Sequence, residues 1–346
     1  MRLKVGLDGK PLLPPQTGVF RYTQGLLSGL ASLPPEEVEV VVVKPHKPLR
    51  TLPWVLWHLQ RETAQGFKVF HFPFYYTPLV PACPVTVAVH DVLMLHHPHW
   101  FRRRCFNTLR YLVPLTVPRA DGVITGTQWV AEALEASCGV PRERIRVIPY
   151  GVDRNLFFPP PAAKVRQGLA ELGLGWPYLL MVGALEPRRG VDTLVAALTQ
   201  LRQKYPELHL VLVGPLRAPV EALVEPPPWV HLLGQVEDRW LPLLYAGAEV
   251  VVAPSRGEGF DLPVLEALAC GACVVASDIP VHREVFAGAV QLFRVGEAEG
   301  LAQAVRQLLE DRERREHLRA EGLSLVQGFS WERAARAHLQ LWRELT

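Results

Sequence analysis

Residues 254–271 read PSRGEGFDLPVLEALACG and hold two carboxylates, Glu258 and Glu266, with seven residues between them. Pro263 suits the first position of a helix, where its missing N–H is not needed, and Gly271 suits the stop. Gly257 and Gly259 leave the preceding loop free to bring its backbone close to a ligand. The amide groups of Phe260, Asp261 and Leu262, with the positive end of that helix, would then form an anion site. Glu258 would stand in the loop and Glu266 about one turn into the helix. The plain alternative is a helix capped by Asp261 with a solvated glutamate on each side, and spacing alone does not separate the two.

Residues 182–190, VGALEPRRG, bring the opposite charge. Arg188 and Arg189 sit in a loop made by Pro187 and Gly190, ahead of a helix. Two guanidinium groups there can grip a diphosphate bidentately. An isolated Arg-Arg is more often a solvated loop tip. Its pairing with an anion-ready helix start is what points both features at one ligand, a diphosphate.

The elements that must position these residues are short apolar, β-branched runs alternating with helical patterns. Strands are expected at 3–7, 38–43, 68–71, 85–89, 122–125 and 145–148, then at 178–182, 209–213, 230–232, 249–253, 273–276 and 290–293. Continuous apolar runs separated by helices predict parallel sheets buried on both faces. The expected fold is α/β: two doubly wound, Rossmann-like domains facing across a cleft. Their bounds are 1–156 and 176–328, joined by a linker over 157–175 where Pro159, Pro160, Pro161, Gly173 and Gly175 fall. Residues 331–346 form an amphipathic helix opened by Ser330, and the 329–346 segment can cross back to the first domain. Ligands of open parallel sheets lie beyond the carboxyl ends of the strands. The informative residues do follow strand ends: Gly6 to Gly9 leading to Thr17-Gly18, His90-Asp91, Gly183, and Ser255 through Leu262.

Composition bounds the answer. The 346 residues fit two domains, and 49% apolar with 21% charged residues lets both bury a core. A net charge of +3, from 37 basic and 34 acidic residues, argues against a protein that coats nucleic acid. No apolar run approaches the roughly 20 residues of a membrane span, and Met1 to Lys10 lacks the pattern of a secretory signal. The chain is therefore expected in the cytoplasm. The five cysteines are scattered, and the Cys270-x-x-Cys273 pair has no second pair or histidines at zinc spacing, so it reads as packing.

Several segments, in this order, carry a resemblance: TGVFRYTQGLL (17–27), VHD (89–91), ADGVITGT (120–127), RIRVIPYGVD (144–153), VGALEPRRG (182–190), PSRGEGFDLPVLEALACG (254–271), ASDIPVHREV (276–285) and FSW (329–331). The sequence resembles the retaining glycosyltransferases of family 4, with the two-domain GT-B fold and the E-x7-E signature, and among them bacterial mannosyltransferase-like members. The resemblance implies that Glu258 contacts the transferred sugar and supports the reacting face, while Glu266 accepts from the nucleotide ribose. Arg188 and Arg189 would neutralise the leaving diphosphate. Gly18 would let the N-terminal loop approach the phosphates, Gly183 and Ser255 would line the donor, and His90 would touch the sugar. Arg189 stands where lysine is commoner. Asp261 stands where glycine is commoner, so it either caps its own helix or bonds a sugar hydroxyl.

The implied donor is a GDP- or UDP-hexose and the acceptor a carbohydrate or a lipid-linked glycan. The acceptor side is read as Tyr22, His96 and Arg102, the last two within a stretch of histidine, tryptophan and arginine at 96–104. That stretch would serve an anionic or lipid-linked acceptor at the inner membrane face, although a solvated helix start explains it as well. Trp54, Trp57 and His58 read as packing. No cofactor and no metal is expected, since no two of the aspartates at 8, 91, 121, 153, 192, 238, 261, 278 and 311 form a D-x-D pair. A phosphorylase would need a lysine for a pyridoxal Schiff base, and the last lysine is Lys204. A non-catalytic sugar or nucleotide binder would have lost the reacting face, yet Glu258, Glu266, Arg188, Arg189 and His90 are all present. Neither glycine pair, Gly173-x-Gly175 nor Gly257-x-Gly259, extends to the dinucleotide fingerprint.

Overall fold

An apolar run such as YLLMV at 178–182 has no polar face to show to water, so it is stable only where both faces are covered. The computed structural model describes residues 2–14, 17–44, 59–101 and 104–346, without the side chains of 104–107. It divides into two compact units, Met1–Gly151 with Phe329–Thr346, and Val152–Gly328. Each holds a six-stranded sheet, and every strand pair in both is parallel.

In the first unit the strands are β1 (Leu3–Asp8), β2 (Val38–Val43), β3 (Val69–Phe72), β4 (Val85–Ala88), β5 (Gly122–Thr125) and β6 (Ile145–Val147). Their order is β2-β1-β3-β4-β5-β6. The longer helices are α1 (Gly18–Ala31), α2 (Arg104–Thr116) and α3 (Gln128–Cys138). Thr17 and Thr127 cap α1 and α3 by accepting from the amides of Phe20 and Val130. Fully buried Phe70, Phe72, Val85, Val87 and Val113 sit in one apolar cluster. Each such side chain contributes about 1.5–3 kcal/mol by leaving water.

In the second unit the strands are β7 (Tyr178–Val182), β8 (His209–Val213), β9 (Val230–Gly234), β10 (Val250–Ala253), β11 (Val274–Ser277) and β12 (Gln291–Phe293). The order is β12-β11-β10-β7-β8-β9, so the chain reverses its winding between β7 and β10. The helices are α4 (Ala162–Glu171), α5 (Val191–Leu201), α6 (Leu241–Gly247), α7 (Leu262–Ala269), α8 (Pro280–Phe286), α9 (Ala298–Glu310) and α10 (Arg312–Leu325). Leu194 and Leu198 of α5 share a core with Leu301 and Val305 of α9.

Residues 157–175 are not a linker. They carry α4, which lies against α6: a Cβ on Gly168 would stand 2.4 Å from Leu243, and one on Gly247 would stand 2.6 Å from Leu169. The proline run is the entry to that helix, with Pro161 at its N-cap, and Gly173, at φ 71°, is its stop. Phe157 is buried beside the ring of Tyr245. Helix punctuation and linker composition look alike in sequence.

The last helix, α11 (Trp331–Glu344), opens at Ser330, whose hydroxyl accepts from the Arg333 amide at 3.1 Å. It packs in the first unit against α1, where glycines make the room. A Cβ on Gly25 would meet the Trp331 indole at 2.1 Å, and one on Gly29 the Trp331 carbonyl at 2.1 Å. Beneath it runs a fully buried polar chain. Trp342 Nε1 donates to Thr86 Oγ1 at 3.0 Å, and that hydroxyl lies 3.0 Å from His71 Nδ1. Tyr22 Oη donates to His338 Nε2 at 2.8 Å, because His338 Nδ1 already donates to the Ala334 carbonyl at 2.7 Å.

Candidate active site

The reversal between β7 and β10 makes their carboxyl ends neighbours, which is where a doubly wound sheet receives its ligand. The loop after β7 begins at Gly183, with φ 138°, a backbone angle that L side chains rarely adopt. A Cβ there would press within 3.3 Å of the Arg189 guanidinium. The loop ends at Gly190, φ 70°, where a Cβ would stand 2.1 Å from the Pro254 carbonyl. The two loops are also laced by backbone, the Arg256 amide donating to the Arg188 carbonyl at 2.8 Å.

This lacing sets both arginines against the β10 loop. Arg188 Nε lies 2.7 Å from Glu186 Oε1, and its Nη1 donates to the Gly257 carbonyl at 3.2 Å and stands 3.5 Å from Glu258 Oε2. Arg189 Nη1 pairs with Glu258 Oε1, lies 3.4 Å from the Ser255 hydroxyl and 3.6 Å from Asp261 Oδ1. Glu258 and Asp261 are buried. Burial pushes the Glu258 carboxyl above the usual carboxylate range, against the opposing pull of Arg189. Burial also acts on Asp261, but the hydrogen bond from His282 and the charge of Arg189 prevail and hold it below that range.

Asp261 does not cap α7. It adopts φ 70°, ψ 65°, and its side chain makes no bond to the helix start. Its Oδ2 lies instead 3.0 Å from Nε2 of His282, a wholly buried residue of α8 whose Nδ1 donates to the Ser277 carbonyl at 2.7 Å. Neither of the two alternatives read from the sequence described this. Glu186 and His282 are the site residues that sequence reasoning missed; both lie inside the quoted segments 182–190 and 276–285, but no spacing rule singles them out.

The remaining expected residues are placed as follows. Glu266 lies one turn into α7, buried, and accepts from the Tyr245 hydroxyl at 3.0 Å. Phe260 is buried, with its ring turned toward that of Phe286. Leu262 opens α7. Ser255 is buried, and its carbonyl accepts from Ser277. Gly18 begins α1 with open space around its Cβ position.

Two expected site residues of the first unit are engaged by partners inside that unit. His90 was expected to touch the sugar, but Nε2 donates to the Pro73 carbonyl at 2.8 Å and Nδ1 accepts from the Tyr150 hydroxyl at 2.7 Å. Burial lowers its pKa to about 4, against the Pro73 bond, so it is a neutral ring with both nitrogens engaged. Tyr22 was read as an acceptor contact, yet it is buried under α11 and bonded to His338. His96 is exposed and bonded to Ser137 Oγ at 2.7 Å. Arg102, like Trp54, Trp57 and His58, lies outside the described residues.

Cys270 and Cys273 are both buried, and Cys273 bonds the Arg315 carbonyl. Among the described residues no group of three or more His, Cys, Asp or Glu is placed to hold a metal ion. No helix among them is long and apolar enough to cross a membrane.

Comparison with known proteins gives two family matches, "Glycosyltransferase Family 4" over residues 18–156 and "Glycosyl transferases group 1" over residues 171–324. The chain is 27% identical over 285 residues to O-antigen chain mannosyltransferase B of Escherichia coli, a match covering 80% of this chain and 74% of that one. It is 35% identical over 246 residues to D-inositol 3-phosphate glycosyltransferase of Xylanimonas cellulosilytica, covering 66% of this chain and 58% of that protein. Among solved structures, sucrose-phosphate synthase from Thermosynechococcus elongatus superposes with a TM-score of 0.78 at 23% identity, covering 99% of both chains. Anabaena HepE, solved with UDP and glucose, superposes with a TM-score of 0.76 at 19% identity over 100% of both chains. At these identities the two structures establish the shared fold.

Proposed function

Since the chain belongs to the glycosyltransferases of family 4 and has their GT-B fold, we propose that it moves a hexose from a nucleoside-diphosphate sugar to a carbohydrate or lipid-linked acceptor, with retention and without a metal ion. One observation carries the reading: Arg188 and Arg189 are held beside the start of α7 at the point where the second sheet reverses. Two guanidinium groups and a helix N-terminus are complementary to a diphosphate. Their charge matters most as the bond to the sugar breaks and the leaving group gains negative charge, in an oxocarbenium-like transition state. Glu258, between them, supports the sugar face. In a front-face displacement the acceptor hydroxyl forms its bond to the anomeric carbon as the bond to phosphate breaks, and its proton passes to the leaving phosphate oxygen. The names of the relatives favour mannose as the hexose. The acceptor is taken to be delivered at the cytoplasmic face of a membrane.

The test has three arms. A thermal-shift screen against GDP-, UDP- and ADP-sugars should single out one donor, because stabilisation by binding grows with the logarithm of concentration over Kd. Transfer from that donor should persist in excess chelator and give a product with the donor's anomeric configuration by NMR. Loss of transfer restored by Mg²⁺ or Mn²⁺, or an inverted product, would overturn the respective part of the reading.

A further inference from the structure

Asp261 is out of place for a donor site. A carboxylate at the N-cap of a helix ordinarily turns onto the first amide groups, where it would compete with an incoming phosphate. Here it is turned away, at the cost of a left-handed backbone that favours glycine, with Asn and Asp tolerated. What holds it is His282, 21 residues further on. The histidine is completely buried, and it faces two groups that can only accept: the Ser277 carbonyl at Nδ1 and the Asp261 carboxylate at Nε2. Both ring nitrogens must therefore carry protons, and the ring is an imidazolium.

The charge count follows. Arg188 and Arg189 face Glu186, Glu258 and Asp261, so two positive charges meet three negative ones and leave the cluster at −1. The imidazolium brings it to zero. We propose that His282 is a positioning residue of the donor site: it turns Asp261 away from the start of α7 and cancels its charge, so that Arg189 and that helix start can receive the diphosphate. This rests on the donor reading given above. Remove the histidine, and Asp261 becomes a buried carboxylate with Arg189 and the helix start as its remaining partners, the same groups the diphosphate needs.

The assay is calorimetric binding of GDP and UDP to the full chain, with donor KM and kcat measured alongside. His282→Gln should weaken binding of the cognate diphosphate by about tenfold or more, and raise donor KM more than it lowers kcat. On an Asp261→Gly background, where glycine accepts the left-handed backbone and no carboxylate remains, the same substitution should cost less than about twofold. A His282→Gln loss equally large on both backgrounds overturns the proposal. If His282→Gln does not fold, Asp261→Asn decides: it keeps a side chain that tolerates the backbone while removing one negative charge. Binding as tight as wild type or tighter supports the proposal, and a tenfold loss overturns it. Wild-type protein that binds neither GDP nor UDP would remove the donor reading itself, and this inference with it.

Discussion

Replacing Glu258 by glutamine separates binding from turnover more sharply than any other change in the cluster. The side chain keeps its volume, and its amide oxygen can still accept from Arg189. What disappears is one negative charge beside two guanidinium groups, which takes the local count, with His282 protonated, from zero to +1. A nucleoside diphosphate then competes with one carboxylate fewer for Arg188 and Arg189. One charge-assisted hydrogen bond is worth about 1.5–3 kcal/mol, and the retained amide contact offsets part of it. Binding should therefore tighten by about 1–2 kcal/mol, or roughly 5- to 30-fold. Turnover should fall by about 10²–10³, the usual cost of losing one charged group aimed at the reacting centre. Stability sharpens the case. Burial holds the wild-type carboxyl above its ordinary range, so ionising it costs the folded chain more than the unfolded one, and its contribution to stability declines as pH rises through that raised pKa. The melting temperature of the glutamine variant should accordingly fall less than that of wild type as pH rises. Calorimetry with the nucleoside diphosphate, a transfer assay and a melting curve on the same preparation decide the matter. Weaker diphosphate binding together with normal turnover would refute the reasoning, because the carboxylate would then be helping the arginines rather than competing with the ligand.

Three further outcomes are expected. Arg188→Ala should weaken binding of a nucleoside diphosphate by more than that of the nucleoside, and equal losses by calorimetry would contradict the diphosphate assignment. Gly29→Ala places a methyl group 2.1 Å from the Trp331 carbonyl, so it should destabilise the first unit by about 1–3 kcal/mol, read as a lower denaturation midpoint. Burial lowers His338 to about 4 from its ordinary 6.5, so its contribution to stability is complete above pH 6.5 and is lost as pH falls toward 4. That shift amounts to about 3 kcal/mol, and His338→Gln should flatten the difference in melting temperature between pH 7 and pH 4; an unchanged difference would exclude His338 as its source.

The strands were legible to within a residue or two, because a run buried on both faces has no polar partner and shows itself as unbroken apolar sequence, as at 178–182 and 250–253. The arginine-bearing turn and the helix start were legible for a related reason: Arg188, Arg189, Pro263 and the glycines at 183 and 190 act through local geometry, and local geometry is written in residue type. The proline run before α4 misled because proline enters helices as readily as it fills linkers. Sheet order was the point where sequence stopped. That β7 lies beside β10, and so brings Arg189 to Glu258, 69 residues on, follows from pairings no periodicity encodes. The same holds for Tyr22 with His338, 316 residues apart, and for Asp261 with His282. A buried polar group needs a partner wherever the chain can supply one. Sequence announces that need, and only the folded packing decides which residue answers it.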